Sequence, residues 1–540
     1  MFILIYLLVF YILLCYTLSL LFPKARVEAS KAWIPGVNFA EWCKIIGQKP
    51  THALWLLFPI VNIFTFAGMA VDIVRSFGKY EFKHSAAAVL FAPGIFYKIA
   101  KDPKDQYVGK TVLLEKAYAE EMEEARTAKD SYKLAQLESK NPYKKTTARE
   151  WTESIVFAVF AASFIRMFLI EAYVIPTPSM EGSLNVGDFL FVSKAHYGIR
   201  TPMTVAMFPL LHNQIPFLGT ESYLSKPSLD YYRLPAIEKV QVGKPFVFNW
   251  PVGDSVYITS SRPYAVSQVA REQGSIGDRE LIVKVKNKDF VVRPTDKKDH
   301  YIKRCVAGPG DSLLIIDRQL YLNGKAVQNP LRLQFLYEIT LPQGVTVSTK
   351  KLDEWGIDFG DNAYGTNELF RADGFGVLFL DQGQVDKLKA LDPNVVIKVA
   401  DQPTQPETLF PFDTTITARW SLDNFGPVWI PAAGATIDLT LASLPYYRRA
   451  IQVYENNKLE VKGSDIYING VAAKSYTFKQ DYYWAMGDNR HNSEDSRAWG
   501  FVPMDHIVGK PLFIWFSTKE GNIRNGINWD RIFKSANKDF

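Results

Sequence analysis

Hydrophobic residues are gathered into blocks in the first third of this 540-residue chain and spread into short alternating runs over the rest. Residues 2–22 (FILIYLLVFYILLCYTLSLLF) carry no charge and are long enough, as a helix, to span the apolar core of a bilayer. No basic stretch precedes them and no A-x-A-like site follows directly, so the pattern predicts a retained helix rather than a cleaved leader. Residues 52–73 form a second candidate span. Residues 85–99, broken by Pro93 and Gly94, form a third span or a re-entrant segment. Residues 101–150 then turn polar, and AEEMEEARTAKDSYKLAQLESK predicts an exposed helix with i,i+4 charge pairs.

Residues 152–175 are the last apolar block. Arg166 and Glu171 interrupt it near its far end, where charged side chains snorkel to an interface. Lys144, Lys145 and Arg149 precede it, with Trp151 as an interfacial anchor. Basic flanks stay in the cytoplasm, so this span runs outward and residues 176–540 are expected on the external or periplasmic face. From 186 to 518 the pattern changes to short β-like runs: DFLFVSK, PFVFNW, DSVYIT, YIKRCVA, SLLIID, VVIKVA, DIYING and PLFIWFS among them. LNGK and INGV carry Asn-Gly hairpin signals. The expected fold is therefore a membrane-anchored, all-β protein. Transmembrane helices (a membrane module over 1–100 and a span over 151–175, joined by a charged cytoplasmic linker over 101–150) lead into a β-rich domain of coiled sheets over 176–540. Residues 320–430 read as a large insertion in that domain.

Composition narrows the chemistry. The net charge of +6 is modest for this length and lies mostly beside the apolar blocks, so positive-inside topology explains it without nucleic acid. Three cysteines form no disulfide framework. Seven scattered histidines form no metal-binding spacing, and no metal or cofactor is expected. The candidate chemistry is a serine with a lysine. Ser179 follows Pro176, Thr177 and Pro178 just past the last apolar block; the prolines stiffen the backbone, and the Thr177 hydroxyl and a backbone N–H can converge on one point as an oxyanion hole. Lys303 lies in YIKRCVA, on a strand whose alternation groups it with Tyr301 and Cys305 and places Ile302 and Arg304 on the other face. A lysine in apolar surroundings loses its charge more readily and can take a proton from a serine hydroxyl. In GDNRHNSEDSRAWG, Ser493 is placed to bond a lysine amine and Asp495 to pair with Arg497.

Four ordered segments, IPTPSMEGSLNVGDFLFVSKAHYGIRTP, GKPFVFNWP, YIKRCVAGPGDSL and GDNRHNSEDSRAWGFVPMDHIVGK, resemble the boxes of bacterial type I signal peptidases over about residues 150–315 and 480–516. The resemblance implies a membrane-bound serine endopeptidase of the cell membrane, multi-pass, that removes signal peptides from secreted preproteins by acyl-enzyme chemistry. Ser179 would be the nucleophile and Lys303 the base. Ser493 would orient the Lys303 amine, Asp495 and Arg497 would brace their loop, and Thr177 with the Ser179 N–H would bind the oxyanion. Ile175, Pro176, Met180, Leu184, Tyr301 and Ile302 would line shallow pockets for small residues at the first and third positions before the cut. The implied partners are signal peptides, the lipid bilayer and the protein-export machinery. Three positions depart from the family pattern: Pro178 where a small residue is common, and His491 and His300 where acidic residues are common. His491 invites comparison with the Ser/His branch of these enzymes, but that branch lacks the lysine present here as Lys303. KAWIPGVNFAEWCKIIGQKPTHALWLLFPIVNIF resembles a small multi-helix membrane module fused to some of these peptidases.

Overall fold

The computed structural model describes all residues other than 1, 58–60, 145, 146, 209, 216, 217, 219, 272–276, 358–368, 372 and 538–540. Lys145, the middle of the 52–73 block and part of the 320–430 insertion thus lie outside the described residues. The chain forms two compact units, Met1–Ala161 and Ala162–Phe540.

The first unit is helical. Helices α1 (Phe2–Leu21), α2 (Val37–Ile46), α3 (Val61–Ser76) and α4 (Phe82–Lys101) enclose a core that includes Leu18, Trp42, Met69, Ile73 and Phe96. The Trp42 indole donates to Met69 O at 3.0 Å, so its one polar atom is satisfied inside that core. Pro93 has no N–H for the helical ladder, and α4 breaks two residues earlier at Phe91, whose φ is −154°. Lys24 donates to the carbonyls of Ile99, Asp102 and Asp105 at 2.7–3.0 Å and so closes the free C-terminal end of α4. The polar helices α5 (Thr111–Thr127) and α6 (Ser131–Lys140) follow, the second capped by Asp130. Among the described residues one helical stretch, Leu8–Ala25, is long and apolar enough to cross a membrane; Ser154–Phe168 is apolar but shorter.

The 152–175 block is not one helix. Helix α7 (Thr147–Phe168) ends where strand β1 (Ile170–Val174) begins. Its last residues are the β-favouring YVI followed by proline, which pushes the residue before it into extended backbone. Glu171 consequently sits on a strand. It is buried, paired with Arg166 at 2.6 Å and Lys194 at 2.8 Å, and accepts from the Tyr173 hydroxyl at 2.6 Å. The expected snorkelling is replaced by an internal ion cluster.

The second unit is β-rich rather than all-β, since short helices such as Arg279–Asn287 and Gln382–Lys389 interrupt it. Its main sheet contains β1, β2 (Asp188–Ser193), β3 (Pro245–Asn249), β4 (His300–Ala307), β5 (Tyr482–Met486), β6 (Val502–Pro503) and β7 (Ile507–Ser517). The strand order is β1-β2-β7-β3-β4-β5-β6, antiparallel throughout. Register shifts on both sides of β7 and between β4 and β5 curl the sheet. Both faces are covered. Phe246 and Phe248 of β3 join Trp250, Cys305, Ala485 and Trp499, whereas Val247 points to the opposite cluster with Leu190, Val508 and Ile514. Both Asn-Gly signals make hairpins, with Asn323, Gly324, Asn469 and Gly470 all at positive φ. Within the insertion, strands Phe335–Thr340, Phe375–Leu380 and Val396–Val399 form a separate sheet. Helix Gln382–Lys389 supplies Val385 and Leu388 to a core with Ile339, Leu352 and Leu378.

Candidate active site

Beyond β1 the chain stays extended through Thr177 and then makes a single 3₁₀ turn, Pro178–Met180. Proline suits the first position of such a turn because its missing N–H would have no partner there. Ser179 is therefore held on a stiff corner at the edge of the sheet and is 8% exposed. As the second residue of the turn, its N–H is among those that a helix start leaves unbonded. The Thr177 hydroxyl lies 3.4 Å from Ser179 Oγ.

Lys303 comes from the middle of β4 and is 3% exposed. Its Nζ lies 2.6 Å from Ser179 Oγ and 3.2 Å from Ile302 O, and stands 5.5 Å from the Tyr301 ring centre. Among the described residues no carboxylate comes within ion-pair distance of it. Burial pushes the amine down to about 8, and the charges of Asp495, Glu494 and Asp488 offset this only in part. A serine hydroxyl thus faces an amine that sheds its proton near neutral pH, which is the arrangement needed for proton abstraction.

A loop after β5 closes over this pair. Asn489 N–H donates to Ser179 O at 3.2 Å. Gly487 packs so closely that a Cβ there would stand 2.4 Å from Ser179 O and 2.3 Å from Ser493 Oγ, so only glycine fits. Asp495 and Arg497 pair through two bonds, at 3.0 and 2.8 Å, and both are fully buried. Asp495 also accepts from Gly487 N–H at 3.1 Å, and Arg497 donates to Arg490 O at 2.6 Å. Burial alone would raise the Asp495 carboxyl; the Arg497 charge and these bonds outweigh it and hold the group below its usual range. Ser493 differs from expectation. Its hydroxyl is buried against Gly487 and makes no hydrogen bond, to Lys303 or to any other described group.

The residues expected to line pockets divide between two places. Ile175, Met180 and Leu184 are buried together, and Ile302 packs on them. Tyr301 faces the other way, stacked on Trp250 with ring centres 5.5 Å apart and edge-on to Trp499 at 5.4 Å. Pro176 and Thr177 are exposed at the rim.

The two histidines that depart from the family pattern lie apart from Ser179 in their bonding. His491 Nδ1 accepts from Leu336 N–H at 3.2 Å and Nε2 donates to Asp423 at 2.7 Å, so the ring ties the base of the insertion to the loop. His300 is packed between the rings of Tyr173 and His212, and burial pushes it well below its usual range. Sequence reasoning missed Arg304 and Asp488. They form a buried bidentate pair at 2.8 and 2.6 Å directly behind the site, and Arg304 also donates to Ser183. Arg304 follows Lys303 and Asp488 is the aspartate of the GDN run, but nothing local joins one to the other.

The site thus brings a serine hydroxyl against a buried lysine on a coiled antiparallel sheet. Residues 148–355 and 449–516, just over half of the chain, match the signal peptidase family, peptidase S26. The chain belongs to that family, among the bacterial type I signal peptidases, and is by membership a serine peptidase. Residues 30–110 match a separate family of unknown function. Signal peptidase I of Rickettsia canadensis is 25% identical over 244 residues, covering 44% of this chain and 69% of that enzyme. Signal peptidase I of Helicobacter pylori is 21% identical over 408 residues, covering 72% of this chain and 91% of that enzyme. A shorter match to signal peptidase I of Buchnera aphidicola is 40% identical over 87 residues and spans 28% of that relative.

Proposed function

We propose that this chain is a membrane-anchored endopeptidase that removes signal peptides from secretory preproteins, with Ser179 as acylating nucleophile and Lys303 as general base. The observation that carries the reading is the 2.6 Å approach of Ser179 Oγ to the Nζ of a lysine that burial holds near neutrality. Neutral Lys303 takes the hydroxyl proton as Oγ attacks the scissile carbonyl. It then returns that proton to the leaving amine, and water repeats the cycle to release the acyl chain. Asp495 and Arg497 hold the loop that fixes Ser179 from behind. Ser493 lies within that loop and orients the amine only after a change of side-chain rotamer. Ile175, Met180, Leu184 and Ile302 border the space before the nucleophile, with Pro176 at its rim, and their bulk leaves room for small residues at the first and third positions before the cut; Tyr301, turned toward Trp250 and Trp499, is outside this set. A serine-directed acylating inhibitor tests the assignment. The labelled peptide is expected to contain Ser179, and labelling elsewhere overturns it.

The base assignment has a pH signature. Lys303 acts only when neutral, so kcat/KM rises with pH along one limb centred near 8, well below the ordinary lysine value. A flat profile through pH 10, with chemistry rate-limiting, counts against the lysine.

Thr177 is proposed to complete the oxyanion hole beside the Ser179 N–H. Thr177→Val keeps the branched shape and removes the hydroxyl. It is expected to lower kcat by about 10²–10³ with KM nearly unchanged, because the lost bond forms to charge present only in the transition state. Thr177→Ser keeps most activity. Equal turnover of Thr177→Val and the wild type removes this residue from the mechanism.

The membrane arrangement is likewise proposed: a module over 1–100, a cytoplasmic linker over 101–150, an anchor over 151–168 that ends where β1 begins, and the peptidase unit outside, beside the export machinery that delivers its substrates. Impermeant thiol reagents on intact cells should label a cysteine engineered near residue 460 and spare one near residue 130. Labelling near 130 reverses the orientation.

A further inference from the structure

A second polar cavity lies away from the serine, at the foot of β1. Its volume is about 100 Å³, room for several waters or one small polyatomic ion. Four cationic side chains line it, Arg166, Lys194, Arg200 and Lys297, against two carboxylates, Glu171 and Asp296. Both carboxylates are already committed. Glu171 holds Arg166, Lys194 and the Tyr173 hydroxyl. Asp296 accepts from the N–H and the hydroxyl of Thr204, both at 2.8 Å.

The two remaining cations have no carboxylate within ion-pair distance among the described residues. Lys297 is 4% exposed; its Nζ has the Met207 sulfur at 2.9 Å and the Tyr223 ring centre at 5.3 Å. A thioether is a weak acceptor for an ammonium. Arg200 donates to one backbone oxygen, that of Asp505, at 2.9 Å. Lys297 is buried and Arg200 half-buried; buried charges are ordinarily paired, and cationic donors that face a cavity with no carboxylate partner can receive an anion. His212 and His300 also face the cavity. Burial pushes His212 down to about 4 and His300 well below its usual range, so both are neutral at physiological pH.

We propose that this cavity binds one tetrahedral oxyanion of the phosphate class, held by Lys297 and Arg200. The ligand takes the open guanidinium donors of Arg200 and the ammonium of Lys297, and so neutralises the excess of positive charge. Two sources present that chemistry: free phosphate, and the phosphodiester of a lipid headgroup. The cavity wall includes Ser163, Arg166 and Met167 at the end of the apolar stretch Ser154–Phe168, where a headgroup would lie if that stretch enters a bilayer.

The test uses the full chain in a phosphate-free maltoside detergent. Inorganic phosphate is titrated in one arm and phosphatidylglycerol is mixed into the micelles in the other, with the melting midpoint as readout, since a ligand bound only by the folded state raises it. The wild type is expected to be stabilised in at least one arm. Lys297→Met should need on the order of 10- to 100-fold more anion for the same shift, and Lys297→Arg should behave as wild type. Arg200→Gln makes the same comparison should Lys297→Met fail to fold. A response to inorganic phosphate identifies a free oxyanion, and a response to phosphatidylglycerol alone identifies a headgroup. No stabilisation in either arm, or one that persists unchanged in Lys297→Met and Arg200→Gln, overturns the proposal.

Discussion

Lys303→Met is expected to abolish peptide cleavage and, at the same time, to make the protein more stable at neutral pH. The first effect follows from the proposed chemistry. Without the amine at 2.6 Å nothing takes the Ser179 proton, and kcat should fall by roughly 10⁴–10⁶. Ser179→Ala should be as damaging, and the double variant no worse than either single change, because the two groups act as one unit. The second effect follows from burial. The amine titrates at about 8 in the folded chain and at its ordinary 10.5 when unfolded. Between those values the unfolded chain binds the extra proton, so stability climbs as pH rises through that window and is lower by a constant amount beneath it. A shift of this size corresponds to on the order of 3 kcal/mol. Methionine fills similar space and carries no charge, so the variant should gain about that much at pH 7. The gain should shrink toward zero by about pH 10.5, where the wild-type lysine is neutral in both states. Urea unfolding of the peptidase unit at the two pH values checks this. Equal midpoints at pH 7 would mean that the ammonium is solvated and not buried.

Asp495→Ala is expected to be the most destabilising single change in the loop that backs the serine. It leaves the Arg497 guanidinium 1% exposed and without its bidentate partner, a situation that typically costs about 3–5 kcal/mol. It also removes the acceptor of Gly487 N–H, and Gly487 is the residue packed against Ser179 O. Activity should fall with stability. The paired replacement Asp495→Leu with Arg497→Met should be far milder for the fold than Asp495→Ala alone, because no buried charge is stranded. Denaturant midpoints of the three variants separate these outcomes. A single mutant as stable as the wild type would show that water reaches Arg497.

Much of the site was legible because its signals are local. Ser179 sits in a Pro-Thr-Pro-Ser run whose prolines stiffen the chain, and the alternation of Tyr301, Lys303 and Cys305 put the lysine on a largely apolar face of its strand; the pairing of the two came from the resemblance of four ordered segments. The Asn-Gly pairs at 323–324 and 469–470 specified their hairpins outright. What was not legible depends on residues far apart in the chain. The Arg304–Asp488 pair, the His491 contacts to Asp423 and Leu336, and the seating of Gln334 on the 487–490 loop all need the tertiary fold before either partner has a reason to be where it is. The helix-to-strand change at residues 168–170 was hidden for another reason: hydrophobicity is the same on both sides of it, and only the approach of Pro176 favours extended backbone. Ser493 was placed by its position in the GDNRHNSEDSRAWG segment, whereas its hydroxyl lies packed beside Gly487 without a hydrogen bond.

The position of β7 bears on when the enzyme can first act. This strand follows every other strand of the main sheet in sequence, yet it lies between β2, which follows the serine corner, and β3, which pairs with the strand of Lys303. Until Ile507–Ser517 has reached its place, no strand pairing in the main sheet joins the half that carries Ser179 to the half that carries Lys303. On the proposed mechanism, a chain without Ile507–Ser517 carries both reactive side chains but no assembled site. Fragments that end before Ile507 are expected to cleave no signal-peptide substrate.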